Sequence, residues 1–208
     1  GRTEGRVWHS GAAGCVLGLR TVQVNRDHVY PEAVDKQLRA FNHIELFEEP
    51  RPKAPQAYEK LADAYDTTAD LDQRARAWLY VNCAGCHVTD GGGNAKIELA
   101  YYQNLTQTQL LTPPMHGDFG LANGQIVAAG DPYASVLYSR LSKPGRRRKP
   151  HLGGQVTHQQ PLNSNTDWNT KPTPPTHHTT TLPHCPDAPT PTPTTHPPAN
   201  PAHTTRPP

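Results

Sequence analysis

The 208-residue sequence has few apolar residues and no long apolar run. Hydrophobic residues make up 34% of the chain, whereas soluble domains usually contain about 45–50%. This shortage predicts a core smaller than the chain length would allow, with segments that lie outside it. No apolar run approaches the roughly 20 residues that cross a bilayer, and no signal-peptide pattern stands at the start. We therefore expect no membrane span.

The sequence also lacks an excess of charge of either sign. Lys and Arg number 20 against 18 Asp and Glu, a formal net charge of +2. A nearly balanced chain favours neither nucleic acid nor a membrane surface as a partner. The local exception is the run of four cations at residues 146–149, RRRK. Such a run is a solvated loop or, as the alternative, a docking surface for an acidic partner.

Cysteine is scarce, and the four that occur do not form two Cys-x-x-Cys pairs. They stand at positions 15, 83, 86 and 185. This spacing argues against a zinc ribbon with four thiolate ligands. Cys15, in the run AAGCVLGL, is expected to be a small buried hydrophobe, and Cys185 has no evident structural role.

Proline is plentiful but uneven, and its distribution predicts the organisation of the chain. Of the 23 prolines, 14 stand at or after Pro161, among threonines and histidines. Such a segment buries too little apolar surface to offset the entropy of ordering it, so a disordered tail is expected. The predicted organisation is an N-terminal segment at 1–48, a Pro-rich linker at 49–56, a small domain at 57–154 and the Pro/Thr/His-rich tail at 155–208.

Three segments show the 3.6-residue spacing of amphipathic helices, and no segment alternates long enough to predict a sheet. The first helix carries its apolar residues at Val34, Leu38, Phe41 and Ile44. The second begins near Asp70, where the N-cap candidates are Thr67, Thr68 and Asp70, and leads directly into Cys83. The third begins at Asp131-Pro132, and its apolar side is formed by Val136, Leu137, Tyr138 and Leu141.

The second predicted helix ends in the most chemically explicit part of the sequence, Cys83-Ala84-Gly85-Cys86-His87. The pattern Cys-x-x-Cys-His is typical of c-type haem attachment. Two thiols two residues apart can add to the two vinyl groups of one porphyrin, and the adjacent histidine then reaches the iron. The motif therefore predicts one haem c, with thioether links at Cys83 and Cys86 and with His87 as proximal iron ligand.

Two other interpretations of the cysteine pair stay open. A thiol–disulfide redox centre is one, although it is expected on a βαβ background that this sequence does not indicate. Half of a zinc site is the other, and its remaining ligands would come from scattered histidines such as His116 or His151.

The sixth iron position decides between two functions. Methionine or histidine there is typical of an electron carrier, whereas an open position suits gas binding or peroxide chemistry. The only methionine is Met115, in a Pro-Pro-Met-His turn. Met115 is therefore one candidate for the distal ligand.

Several blocks of the sequence, in the same order, resemble the c-type cytochrome modules of bacterial di-haem proteins associated with sugar- or sorbosone-dehydrogenase-like domains. The blocks around and after the motif are ADLDQRARAWLYVNCAGCH, GGGNA, PPMHGDFGL, IVAAGDPYASVLYSRLS and GRRRKPHLGG; those upstream are AAGCVLGLRTVQVNRDH and VDKQLRAFNHIELF. The resemblance covers about residues 1–154. It implies an all-α fold, a small cytochrome c-like helical domain around one covalent haem, followed by the disordered tail.

The resemblance also implies a function and a setting. The chain would be an electron carrier rather than a catalyst, exported to the bacterial periplasm. Its partner would be a redox protein or a fused dehydrogenase domain. Alternatives are a five-coordinate haem protein that binds small gases or reduces peroxide, and a degenerate fragment without function.

Three departures from the family pattern qualify this expectation. Where the family has a first Cys-x-x-Cys-His, this chain has Gly5-Arg6-Val7-Trp8-His9, so a first covalent haem is not expected. Where the family has a terminal helix, the sequence after Gly154 is rich in proline and lacks helical periodicity. No packing helix is therefore expected there, and a change of reading frame near Gln155 is one explanation.

The third departure concerns the distal ligand. Lys149 stands where the family has the methionine that reaches the iron. Ligation by Lys149 would require burial and a lowered pKa of its amine. The options are Lys149, Met115 or His151 as distal ligand, or a vacant position.

Overall fold

The computed structural model describes residues 20–47, 53–143 and 166–168, together with Gly11, Lys149 and Asn163. The elements are helix α1 Thr21–Val24, strand β1 Asp27–Val29, strand β2 Val34–Lys36, and helices α2 Gln37–His43, α3 Leu71–Cys83, α4 Leu105–Thr108 and α5 Val136–Ser142. Two 3₁₀ turns occur at Pro55–Ala57 and Pro132–Ala134. Within the described ranges, no helix is both long enough and apolar enough to cross a membrane.

The expectation of an all-α, cytochrome c-like helical domain is wrong for the part that the structure describes. Only 36% of those residues are helical, and β1 and β2 form an antiparallel two-stranded sheet. Its register pairs Asp27 with Lys36 and Val29 with Val34. Between the strands, the Tyr30 N–H donates to the Ala33 carbonyl (2.8 Å) and closes the turn.

The first predicted helix is wrong in its start, because Val34 lies in β2 rather than in a helix. Val34 is 67% exposed, so its helical spacing from Leu38 does not reflect a shared buried face. Leu38 is 1% exposed and is the buried residue of α2. The helix ends before Ile44, and Glu45 then adopts a left-handed backbone (φ 55°), a common way to stop a helix.

The second predicted helix is confirmed as α3. Asp70 is its N-cap, and the Asp70 Oδ1 accepts a hydrogen bond from the Gln73 N–H (3.0 Å). The helix is buried around most of its circumference; its buried residues are Asp72, Arg74, Ala75, Arg76, Ala77, Leu79 and Tyr80. Because α3 is enclosed in this way, it fixes the position of the Cys83–His87 segment at its end.

Two arginines on α3 are buried and tie surrounding loops to the helix. Arg76 donates through Nη2 to the carbonyls of Tyr101 (3.1 Å) and Gln103, and Arg74 donates to the carbonyl of Ala64. Buried cations require such acceptors because desolvation is costly. These bonds hold loops on both sides of α3 in place.

The third predicted helix is confirmed with a later start. Asp131 caps the 3₁₀ turn Pro132–Ala134, its Oδ1 accepting from the N–H groups of Tyr133 (2.9 Å) and Ala134 (3.2 Å). Helix α5 then begins at Val136. It is fixed to the preceding loop because the Val136 N–H donates to the Gln125 carbonyl (2.9 Å).

A tryptophan from the tail lies in the core, which corrects the expectation that no packing helix follows Gly154. Thr166, Asp167 and Trp168 are helical, and Trp168 is 0% exposed. Its indole Nε1 donates to the Asp72 Oδ1 (2.8 Å). Periodicity could not predict this contact, because the contact depends on one side chain and periodicity needs several. A single large aromatic side chain buries enough surface to anchor a segment. The apolar core around it comprises Ala75, Leu79, Tyr80, Ala84, Leu99, Leu110, Ile126 and Val127.

The segment around α1 packs against the same core. The Leu61 N–H donates to the Val22 carbonyl (2.9 Å), and the Asn25 Nδ2 donates to three carbonyls at residues 55, 58 and 59. Arg20 donates to the Tyr80 hydroxyl (3.1 Å). Residues 20–25 are therefore attached to the α3 region rather than separated from it.

Candidate functional site

The Cys83–His87 segment forms a tight turn at the end of α3. The N–H groups of Cys86 (3.1 Å) and His87 (2.9 Å) both donate to the Cys83 carbonyl. These two bonds bring Cys86 and His87 back over the last turn of the helix. Because α3 is buried and capped, the three side chains start from a fixed point of the fold.

Two glycines after the motif allow the loop to fold back onto it. The Gly93 N–H donates to the Cys86 carbonyl (2.9 Å) and the Gly91 N–H to the Val88 carbonyl (2.9 Å). A Cβ at Gly93 would lie 2.5 Å from His87 Nδ1, and one at Gly91 would lie 2.3 Å from the Cys86 carbonyl oxygen. Neither position has room for a side chain, so this close approach requires glycine. The sequence indicated a loop here but not its role.

The His87 imidazole is held against this glycine loop. The backbone carbonyl of His87 accepts a hydrogen bond from the Leu99 N–H (2.8 Å), and the residue is half-buried. Nδ1 is buried, and no described residue gives it a hydrogen bond of good geometry, although the Ala95 carbonyl lies close enough to raise the pKa. Burial and then Lys149 lower the pKa, and their combined effect prevails. A neutral imidazole, the form that binds metals, is therefore favoured.

The two thiols are half-buried and not joined in a disulfide. Burial raises the pKa of Cys83 to about 12 and also raises that of Cys86, against a smaller lowering by Lys149. A reactive redox cysteine has a lowered pKa and an electropositive, open environment. The arrangement therefore disfavours the thiol–disulfide interpretation.

Lys149 lies near the motif although it is 62 positions after His87 in the sequence. Its N–H donates to the carbonyl of Arg140 (3.0 Å), in the last turn of α5. The residue is half-buried. Burial, followed by the charge of Arg140, lowers the pKa of its amine, whereas Cys86 and Cys83 raise it. The sequence identified Lys149, and the fold brings it to the cysteines.

The other candidate ligands do not gather at the motif in the described residues. Met115 is 61% exposed. His116 is exposed, and its Nε2 lies 2.9 Å from the Asn94 carbonyl oxygen. Across residues 20–47 and 53–143, no three His, Cys, Asp or Glu side chains are grouped to hold a metal ion. The zinc interpretation through His116 therefore has no support there.

Several residues singled out in the sequence lie outside the described residues. They are His9 and the rest of the altered first motif at 5–8, Cys15, Arg146 to Arg148, His151 and Cys185.

Arg140 is a part of the site that sequence reasoning missed. Its guanidinium lies over the Phe119 ring, 4.7 Å from the centroid, and its charge lowers the pKa of both His87 and Lys149. No local pattern marks it, because its role depends on α5 packing near the motif.

The donor set fits a covalently attached haem. Two unpaired thiols on one turn can supply thioether links, and a neutral imidazole packed against Gly93 can supply an iron ligand. The haem iron needs only axial ligands from the protein, so it does not require a cluster of three protein side chains. Comparison of the chain with protein-family models, with curated proteins and with solved structures gave no match.

Proposed function

We propose that this protein carries one haem c and transfers single electrons. The observation that carries the proposal is the Cys83–His87 turn, where two unpaired thiols and a neutral imidazole follow a buried helix. The resemblance of residues 1–154 to c-type modules of di-haem proteins supports it. The haem, when bound, supplies the one-electron couple of its iron.

Each residue of the motif has a separate task. The sulfurs of Cys83 and Cys86 would hold the haem by thioether links to its vinyl groups, and such covalent retention would compensate for a small core. His87 would bind the iron. Its Nδ1 is packed against Gly93, so the imidazole would bind through Nε2.

The proposed electron carrier would exchange electrons with a redox partner in the same cellular compartment. The resemblance implies export to the periplasm and a redox partner that is a separate protein or a fused dehydrogenase domain. The turn that would hold the haem is half-buried.

The test is expression of the full chain with a c-type maturation system, followed by haem staining on a denaturing gel. Covalent haem should survive denaturation, and the double variant Cys83→Ala/Cys86→Ala should lose the stain. Cys15→Ala, a cysteine outside the motif, is the matched control and should keep it. An unstained wild-type band would refute the proposal and favour a degenerate fragment.

The second candidate function is a five-coordinate haem that binds small gases or reduces peroxide. The observation that favours it is the 61% exposure of Met115, since the only methionine of the chain is then not positioned as a buried iron ligand. Rapid carbon monoxide binding by the reduced protein, without a slow ligand-displacement phase, would support this alternative over the electron carrier.

A further inference from the structure

We propose that His116 is a positioning residue for the motif. Through a hydrogen bond to Asn94 it holds the glycine loop, residues 91–94, against His87 and so fixes the orientation of the imidazole. The effect on the iron rests on the proposed function, whereas the hold on the glycine loop can be measured in the chain with or without haem.

Direct contacts lead from His116 to the motif. The His116 Nε2 donates to the Asn94 carbonyl (2.9 Å), since a carbonyl oxygen only accepts. Asn94 follows Gly93, whose N–H donates to the Cys86 carbonyl (2.9 Å). Gly93 lies so close to the histidine of the motif that a Cβ on it would be 2.5 Å from His87 Nδ1. Only two residues of the glycine loop therefore separate the two imidazoles.

The loop that carries this histidine, residues 112–126, is here called the clasp loop, and the core closes its base. The Ile126 N–H donates to the Thr112 carbonyl (2.9 Å), and Ile126 is a core residue with 8% exposure. Nearer the tip, the Asp118 Oδ1 accepts from the Gly120 N–H (2.9 Å). A loop with joined ends and an internal bond presents its tip from a defined position.

A second side chain attaches the clasp loop to helix α5. Phe119 has a left-handed backbone (φ 61°), which is strained for a bulky residue and persists only where surrounding contacts hold it. One such contact is the Arg140 guanidinium of α5, which lies 4.7 Å from the centroid of the Phe119 ring and is attracted to it. The clasp loop is thus attached to α5 through Phe119 and to the glycine loop through His116.

The position of the glycine loop matters because of what it touches. In a histidine that binds a metal, the surroundings of the other ring nitrogen set the orientation of the ring. The Nδ1 of His87 is buried and packed against Gly93, so the orientation of this imidazole depends on where the glycine loop lies. Loss of the bond from His116 should let the loop move and the imidazole adopt more than one orientation.

The experiment compares the full chain with His116→Ala, His116→Gln and the control His43→Ala, which removes an exposed histidine of α2. Glutamine keeps an N–H donor on a side chain that can reach the same carbonyl. Amide hydrogen exchange of Gly93, measured by nuclear magnetic resonance, reports opening of the glycine loop, and that of Leu79 in α3 reports global unfolding. Electron paramagnetic resonance and redox titration of the haem-loaded chain report the iron.

In His116→Ala the Gly93 amide should exchange about 2- to 10-fold faster, as expected for the loss of one hydrogen bond, with Leu79 unchanged. The haem-loaded variant should show broadened ferric resonance lines and a shifted reduction potential, because the imidazole is less uniformly oriented. His116→Gln should return both measurements toward wild type, and His43→Ala should match wild type.

Unchanged exchange of Gly93 in His116→Ala would overturn the hold on the glycine loop. Faster exchange with an unchanged iron signal would overturn the positioning role, as would a His116→Gln variant that behaves like His116→Ala. Absence of covalent haem in wild type would overturn the proposed function and the positioning role together, and the exchange of Gly93 would still decide whether His116 holds the loop.

Discussion

Residues 71–99, which contain α3 and the motif, and residues 27–47, which contain the hairpin and α2, are held in place differently. Seven residues of α3 are buried, and the loop after it is fixed by backbone bonds from Cys86, His87, Gly93 and Leu99. In the hairpin, Val29 and Val34 are 76% and 67% exposed. The chemistry is therefore carried by the region whose geometry the core determines.

The hairpin region depends mainly on its backbone pairing and on exposed ion pairs. Lys36 Nζ lies 2.8 Å from Asp27 Oδ1, and Arg39 Nη1 lies 3.0 Å from Asp35 Oδ1. Surface pairs of this kind contribute little to stability because solvent and salt screen them. Because α3 is buried around most of its circumference, substitutions in and around this helix should lower stability far more than substitutions in the hairpin.

The largest effect should come from Trp168, which anchors the tail on α3. Trp168→Ala removes a fully buried side chain and the donor to Asp72, and should lower the free energy of unfolding by about 3–5 kcal/mol. Urea unfolding of the full chain, followed by circular dichroism, measures it. Trp168→Phe retains most of the bulk and should lose less. A change below about 1 kcal/mol would contradict the packing of Trp168 in the core.

Gly93→Ala tests whether the motif depends on close backbone approach. The new Cβ would meet His87 Nδ1 at 2.5 Å and the Cys86 carbonyl oxygen at 2.8 Å, so His87 or the loop must shift. Overpacking of this kind costs about 1–3 kcal/mol, and the haem-loaded protein should show a changed iron spectrum. The control Gly11→Ala meets no atom of the described residues within 4 Å and should leave spectrum and stability unchanged. Equal behaviour of the two variants would refute the close approach.

Asp70→Ala removes the N-cap of α3 and should have an intermediate effect. The N–H of Gln73 loses its acceptor, which costs about 0.5–2 kcal/mol. Asp70→Asn preserves a capping oxygen and should be nearly neutral. Thermal unfolding of both variants gives the comparison; a similar loss in both would indicate that charge, and not capping, determines the contribution of Asp70.

Val34→Thr should have the smallest effect. The side chain is 67% exposed in a two-stranded sheet, and threonine also suits a strand. Surface substitutions of this kind usually change stability by less than about 0.5 kcal/mol. The same urea series provides the measurement. A loss as large as that of Asp70→Ala would show that Val34 is covered by another part of the protein, and the contrast between the two regions would then be weaker.

The predictions from sequence succeeded where the structure depends on local interactions. The N-cap at Asp70 and the end of α3 at Cys83 are confirmed, because capping and helical spacing involve residues within one or two turns. The helix predicted from Val34 was wrong in its first turn, since the spacing of apolar residues cannot reveal that Val34 is exposed and paired with Val29. The proposed roles of Cys83, Cys86 and His87 remain predictions.

The sequence by itself determined the helix that leads into the motif and the spacing of its two thiols and imidazole, since these features depend only on residues close together in the chain. The tertiary structure alone decided that Trp168 packs on Asp72, 96 positions away, and that the charge of Lys149 acts on the pKa of both cysteines. It also decided that a small sheet, and not a helix, precedes α2. Such contacts depend on burial of the whole chain around α3, which no local pattern encodes.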